Sequence, residues 1–373
     1  MSGSGPHKTT IREATCRVKY DMTGPDAGQI HFVTAMAPVK VVVVGAGVIG
    51  LSTAVCLAEN LPNCSVTIVS QHLSPNTTSD GAAGILITTE FPDVPVDRQL
   101  RWFKDTFDHL LAIAESSEAG KAGVFLSTGC QIFKEVPRDK KPYWSDVVLG
   151  FRTLTERELK RFPHHKFGHA FTTLKCECMS YLPWLEKRFR NAGGMIIQEK
   201  VTDLRSLASH FDIVINCSGL GCCSFLEDVD VEPIRGQVVH LHAPWVKNFI
   251  RDADGKTYIY PGMNSVILGG TRQVGDWRLE VDEVDRQGIL ARCCSLEPSL
   301  RGGHILREWV GLRPGRRSPR VEKEQIQLQD GRKVPVIHNY GHGGNGVTLS
   351  WGTALNVLRL VSQCIQHPPI SRL

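Results

Sequence analysis

The stretch from Val39 to Glu59, VKVVVVGAGVIGLSTAVCLAE, constrains the fold more than any other part of the chain. A β-branched apolar run meets Gly45-Ala46-Gly47-Val48-Ile49-Gly50, and a segment of helical character follows. The order is strand, glycine-rich turn, helix. Gly45 permits the tight turn, Gly47 lets backbone approach a pyrophosphate, and Gly50 lets the helix pack closely on the strand. Free N–H groups and the positive end of the helix dipole then face an anion. A lone G-x-G-x-x-G carries little information, but with this strand before it and this helix after it the motif reads as a dinucleotide seat.

Cys64 to Ser70 supplies the second strand of a parallel βαβ unit. In a dinucleotide fold an acid about 20 residues past the last glycine grips the adenosine ribose. Here Ser70, Gln71 and His72 stand in that place. The missing carboxylate weakens a simple NAD reading and leaves NADP open. The polar loop from Ser74 to Gly84, SPNTTSDGAAG, suits either a phosphate wrap or an ordinary surface connection.

Composition bounds the rest. A chain of 373 residues holds about two domains. No apolar run approaches the roughly 20 residues of a membrane-spanning helix. A net charge of +5, spread along the chain, gives little support to nucleic-acid binding. Twelve cysteines include the pairs Cys176/Cys178, Cys222/Cys223 and Cys293/Cys294, none with C-x-x-C spacing, so free thiols are expected and no metal site. Residues 1–37 hold no period and read as a disordered or extraneous extension.

Farther along, Val96 to Glu118 has helical periodicity with Trp102, Phe103, Phe107, Leu110 and Leu111 as a core face. Gly123 to Phe133 reads as strand, Thr155 to Phe162 as a short helix opened by a Thr-x-x-Glu capping box, and Tyr181 to Asn191 as helix. Phe211 to Asn216 is a buried strand ending in Cys217-Ser218-Gly219, where ligands sit in doubly wound sheets. Short β-rich runs at 233–242, 257–260, 266–270 and 305–312 suggest an antiparallel sheet. A strand from Pro335 then leads into His342-Gly343-Gly344-Asn345-Gly346-Val347-Thr348, followed by a helix over Ser350 to Gln366. Two glycine-rich helix entrances, one near each end, predict a discontinuous Rossmann-like cofactor domain with an inserted antiparallel-sheet substrate domain, α/β plus α+β. The expected division assigns 38–95, 165–221 and 335–373 to the cofactor domain and 96–164 and 222–334 to the substrate domain.

From about Lys40 onward the sequence resembles the D-amino-acid oxidase family, most closely its D-aspartate oxidase branch. The resemblance is carried by VVGAGVIGLSTAVCL, TTSDGAAG, DVVLGFR, FGHAFTTLKCECMSYLPWLEKR, NCSGLG, RGQV, TYIYPG, LGGTRQVGDW, CSLEPSL, VGLRPGR and HNYGHGGNGVTLSWG. It implies FAD as cofactor and oxidative deamination, with hydride passing from the substrate α-carbon to flavin N5. The products are an imino acid that hydrolyses to a keto acid, ammonia, and hydrogen peroxide from dioxygen. The implied cofactor set is Gly45, Ala46, Gly47, Val48, Ile49, Gly50, Ser70, Gln71, His72, Thr77, Thr78, Ser79, Gly84, Ile85, Leu86, Ser218, Gly219, His342, Gly343, Gly344, Gly346, Val347 and Thr348.

For the substrate, the resemblance implies that Arg313 clamps the α-carboxylate and that the Tyr258 hydroxyl supports it. An Arg fork matches a carboxylate with two parallel hydrogen bonds. From the residues alone, Arg313 is equally a surface arginine near Arg316 and Arg317, and Tyr258 a strand aromatic. Arg272 matches an arginine of the acidic-substrate branch, and Arg251 is a second candidate, with adjacent Asp252 as an alternative partner. The implied substrates are D-aspartate, D-glutamate and N-methyl-D-aspartate. The chirality rests on the resemblance, not on spacing. Two departures stand out: Gln71 replaces an acid, and Ile85 to Glu90 replaces a segment with a Pro-His pair. The final Ser371-Arg372-Leu373 resembles the tripeptide read by the peroxisomal import receptor, which implies a peroxisomal matrix location. The competing readings are a neutral D-amino-acid oxidase, a non-turnover flavin-binding protein and an NAD(P) dehydrogenase.

Overall fold

A computed structural model describes residues 37–366. The C-terminal tripeptide and all but the last residue of the 1–37 extension lie outside the described residues. The strands are β1 (Val39–Val44), β2 (Cys64–Ser70), β3 (Val124–Phe133), β4 (Leu149–Thr153), β5 (Phe167–Cys176), β6 (Met195–Gln198), β7 (Ile213–Asn216), β8 (Glu232–His242), β9 (Phe249–Asp252), β10 (Tyr258–Pro261), β11 (Val266–Gly269), β12 (Gln273–Val274), β13 (His304–Gly315), β14 (Arg320–Gln327) and β15 (Lys333–Tyr340). The helices are α1 (Val48–Asn60), α2 (Val96–Ala114), α3 (Ala119–Ala122), α4 (Glu156–Leu159), α5 (Cys178–Asn191), α6 (Leu204–Ala208), α7 (Glu283–Leu296) and α8 (Gly346–Gln366).

One sheet has the order β14-β15-β7-β1-β2-β6. Its pairs are parallel except β14 with β15. Val41, Val42 and Val43 are fully buried at its centre, as a strand covered on both faces requires. Helices α1, α5 and α8 pack together on this sheet. The short helix after Leu154 opens with the expected capping box: Thr155 accepts from the Glu158 amide and Glu158 reaches back to the Thr155 amide.

The second sheet runs β12-β8-β11-β10-β9-β3-β5-β4, with β13 also paired to β8. It is antiparallel except for β3 with β9, which is parallel. Two segments differ from the expected division. β5, which sequence placed on the cofactor side, pairs with β3 along ten residues in the second sheet. β14, placed on the substrate side, joins the first sheet because the short turn at Gly331 (φ 86°) folds it back on β15 as a hairpin. Helix α2 also packs against α8, where Gly352 removes a Cβ that would overlap the Trp102 carbonyl and the Gly352 amide donates to Thr106 Oγ1 at 2.9 Å. The aromatics Trp102, Phe103 and Phe107 are buried as their periodicity requires.

The eleven cysteines among the described residues are free thiols. No helix among the described residues is long and apolar enough to cross a membrane.

Burial also couples the fold to pH. His240 is pushed down to about 4 by burial, with Arg307 and Lys175 adding to the effect. His109, stacked on Trp351 with ring centroids 3.6 Å apart, is pushed down to about 3 by burial and by Arg188. Both titrate near 6.5 when unfolded, so the unfolded chain binds more protons between these values and stability rises with pH across that window. Acidifying from pH 7 to pH 5 should cost the order of 2 kcal/mol for His240 by this linkage. Urea midpoints at the two pH values measure it, and His240→Gln should narrow the gap; an equal gap in the variant would discard burial of His240 as the cause.

Candidate active site

The carboxyl ends of β1, β2, β7 and β15 and one face of the second sheet enclose a cavity of about 1110 Å³. That exceeds the usual range of about 300–1,000 Å³ for a small-molecule site. Both glycine-rich turns line it, and so do Tyr258, Arg251, Arg272 and Arg313.

At the first turn, Gly45 adopts φ 107°, and a Cβ there would overlap the Cys217 carbonyl of the adjoining strand end. A side chain at Gly50 would overlap the Gly45 carbonyl, so Gly50 closes the turn on itself and lies outside the cavity wall. Some of the donors are already engaged: the Ala46 amide donates to Ser70 Oγ at 3.1 Å and the Val48 amide to Ser79 Oγ at 3.0 Å. The amides of Gly47 and Ile49 have no acceptor among the described residues. They remain for an anion at the entrance of a 13-residue helix.

Ser70 lines the cavity, but its hydroxyl is committed, donating to the His72 carbonyl at 2.8 Å while accepting from Ala46. It braces the turn, and the exposed side chains of Gln71 and His72 are the groups left to meet a ribose. The 74–84 loop is stapled into the cavity wall. Buried Asp80 accepts from the Thr77 amide (2.8 Å), Thr77 Oγ1 (2.6 Å) and Ser74 Oγ (2.5 Å), and Thr78 Oγ1 donates to the Leu312 carbonyl (3.1 Å). This excludes the plain surface connection. The role of Asp80 escaped the sequence reading, although the Thr-x-x-Asp spacing of a capping box was visible. Gly84 and Ile85 line the cavity, whereas Leu86 is fully buried away from it, because alternate residues of an extended segment face opposite ways.

Ser218 and Gly219 line the cavity at the end of β7. From the far end of the chain come His342, Gly343, Gly344, Gly346, Val347 and Thr348. Buried His342 is pushed down to about 3 and is neutral at ordinary pH. Its Nε2 and the neighbouring Asn339 Oδ1 are buried without a partner. Unsatisfied buried polar atoms on residues that line a cavity, together with free helix-entrance amides on the same cavity, fit a large polar cofactor such as a dinucleotide.

The other end of the cavity is cationic. Arg313 lies on β13 opposite β8, where Gly236 leaves the room that its guanidinium fills, and its Nη1 donates to the Thr271 carbonyl at 3.1 Å. Tyr258 packs against Gly269 and Gly270, which have no Cβ to displace its ring, and stacks on Tyr260 at 4.5 Å. Burial raises the Tyr258 hydroxyl, with Arg313 and Arg251 pulling the other way, and it stays a protonated donor at neutral pH. Arg251 lies across the ladder from Tyr258.

The alternative partner of Arg251 is taken: Asp252 is buried and paired with His165 Nε2 at 3.0 Å. Of the arginines near Arg313, Arg316 pairs with Asp228 and Arg317 with Asp93. Arg251, Arg272 and Arg313 have no carboxylate partner among the described residues. The carboxylates on the cavity wall are Asp252, already engaged, and exposed Glu90.

Sequence reasoning also missed Arg235, which is fully buried. It donates to Asp285 (2.7 Å), Gln273 (2.7 Å), Gln237 (3.1 Å) and the carbonyls of Arg278 (3.1 Å) and Glu280 (2.6 Å). One side chain thus ties down both sides of the loop that follows Arg272. The RGQV motif marked the position but not the network. Trp277 and Leu279 of this loop, both more than half exposed, also line the cavity.

The family model described as FAD dependent oxidoreductase matches residues 40–360. Human D-aspartate oxidase is 55% identical over 330 residues, covering 88% of this chain and 96% of the relative. The D-amino acid oxidase of Dugesia ryukyuensis is 39% identical, covering 87% and 98%. D-aspartate oxidase 1 of Caenorhabditis elegans is 36% identical, again covering 87% and 98%. Among solved structures, glycine oxidase from Geobacillus kaustophilus shares the fold with a TM-score of 0.69 at 22% identity, covering 87% of this chain and 94% of that one. Motifs, fold and relatives agree, and the chain belongs to the D-amino-acid oxidase family of FAD-dependent oxidoreductases.

Proposed function

We propose that this protein is an FAD-dependent oxidase of acidic D-amino acids, with D-aspartate as chief substrate and D-glutamate and N-methyl-D-aspartate as others. The observation that carries the reading is the set of three arginines without carboxylate partners, Arg251, Arg272 and Arg313, on the wall of the cavity that the cofactor turns also line. A dicarboxylate brings two negative charges into such a place, where a paired charge is selective and an unpaired one costly. The relatives named D-aspartate oxidase support the same substrate class.

FAD, when bound, supplies the two-electron acceptor that dioxygen regenerates, so the protein has only to hold and orient the substrate. D-Aspartate, dioxygen and water give the 2-oxo acid, ammonia and hydrogen peroxide. In this reading the Arg313 fork takes the α-carboxylate and the Tyr258 hydroxyl donates to the same group. Arg272 and Arg251 take the distal carboxylate. The free amides of Gly47 and Ile49 take the pyrophosphate, and His342, neutral, lines the cofactor seat. Arg235 is a positioning residue: it fixes the loop that presents Arg272 and touches no ligand.

A neutral-substrate oxidase would leave Arg272 and Arg251 without a counter-charge, which disfavours that reading. The C-terminal Ser371-Arg372-Leu373 supports delivery to the peroxisomal matrix by the import receptor. A compartment that handles peroxide suits the product.

Anaerobic D-aspartate should bleach the flavin spectrum, and D-alanine should do so far more slowly; a preference for D-alanine in peroxide release would overturn the substrate. Arg272→Leu should lower kcat/KM for D-aspartate by about 100-fold, the factor that about 2.7 kcal/mol of lost charge pairing gives, and leave D-alanine nearly unchanged. Equal losses on both substrates would remove Arg272 from the pocket. Arg235→Leu should cost about 3 kcal/mol of stability by stranding Asp285 and its neighbours, and should raise KM for D-aspartate more than it lowers kcat. Arg235→Lys should recover part of both, and a KM equal to that of the unaltered enzyme in either variant would deny Arg235 its positioning part. A fluorescent fusion lacking residues 371–373 should leave peroxisomes, and its retention there would reject the address.

A further inference from the structure

The strand pair β8 and β13 carries the substrate arginine at one end and a different constellation at the other. His242, the last residue of β8, lies directly across the ladder from His304, the first of β13. Directly opposed residues on antiparallel strands hold their Cβ atoms about 4.5–5.5 Å apart. Here the two imidazole centroids are 4.8 Å apart, with the ring planes inclined at 33°. Both side chains are exposed. Among the described residues the histidines that pair with carboxylates are His165 and His338, so His242 and His304 are not engaged in this way. Arg313 lies nine positions along β13 from His304, about 30 Å in an extended strand, and neither His242 nor His304 lines the cavity.

We propose that His242 and His304 form a chelating site for a divalent transition-metal ion of the nickel, copper and zinc class. Neutral imidazole is a preferred ligand of these ions. At a metal–nitrogen distance of about 2.0–2.1 Å the two nitrogens stand about 2.9 Å apart at a square-planar centre and about 3.3 Å apart at a tetrahedral one. Rings already facing each other across a strand pair reach that spacing by side-chain rotation alone. The ladder holds both backbones, so the second nitrogen binds without further ordering of the chain, which is the origin of the chelate advantage. Among the described residues no group of three or more His, Cys, Asp or Glu side chains gathers to hold a metal. The site therefore offers two protein ligands, and water completes the coordination of an ion held at the surface.

Calorimetric titration of the untagged, FAD-loaded enzyme with Ni2+ tests the site. One ion per chain should bind more tightly than any other, and it should raise the melting temperature by clipping β8 to β13. Loss of a supporting group alone weakens a metal site by about 10-fold, so His242→Gln and His304→Gln should each weaken binding by at least that factor. Each single variant keeps one imidazole and with it a weak monodentate site, and the double variant should lose binding at this place altogether. Peroxide release from D-aspartate by all three variants without metal should match that of the unaltered enzyme, which certifies their fold. A double variant that binds Ni2+ like the unaltered enzyme would overturn the proposal, as would a single variant that keeps the full affinity.

Discussion

The register between β8 and β13 is the constraint on which the substrate end of the molecule depends. Eleven residue pairs fix it, with Gly311 opposite Gly236 and Arg313 opposite Ile234. Side chains alternate along a strand, so a slip by one residue would turn Arg313 to the other face of the sheet. The glycines make this register productive. Gly236 leaves the volume that the Arg313 guanidinium occupies, and Gly269 and Gly270 do the same for the Tyr258 ring on β10. An arginine and a tyrosine from separate strands thus share one cavity because neighbouring strands give up side chains there.

The cofactor end depends on a different long-range pairing. β1 and β15 flank β7 in one parallel group, which brings the turn after Val44 beside the turn after Tyr340 although nearly the whole chain lies between them. Each turn alone is half a cradle. The first provides free amides at a helix entrance, and the second provides a neutral buried His342 with an unsatisfied nitrogen. Together they explain how a seat for a large cofactor forms without the acidic ribose grip: Ser70, at that position, braces the Ala46 amide and leaves recognition to other groups.

Local patterns were legible in the sequence wherever chemistry and chain neighbours coincide. The strand–turn–helix at Gly45, the capping box at Thr155 and the aromatic face of α2 are all decided within about ten residues. The substrate arginines were legible by resemblance, because charge alone does not distinguish Arg313 from Arg316; the difference is Asp228, 88 residues from Arg316, which neutralises one and not the other. Arg235 was illegible for the same reason, since its five partners come from 237 to 285 and only the folded loop gathers them. The sheet assignments of β5 and β14 failed where a boundary was drawn by texture, while pairing decided the outcome: β5 with β3, and β14 with β15 through the hairpin at Gly331.

Charge placement joins these points. Carboxylates neutralise Arg235, Arg316 and Arg317, yet among the described residues Arg251, Arg272 and Arg313 have none, while Asp252, adjacent to Arg251 in sequence, is drawn off by His165. Like charges held in one cavity repel, and a fold that leaves them unpaired gives up stability that a few nearby acids would restore. The arrangement becomes favourable only when an anionic ligand arrives, so part of the free energy of substrate binding is relief of that repulsion. Glu90, the one unengaged carboxylate on the wall, works in the opposite sense on a dianion.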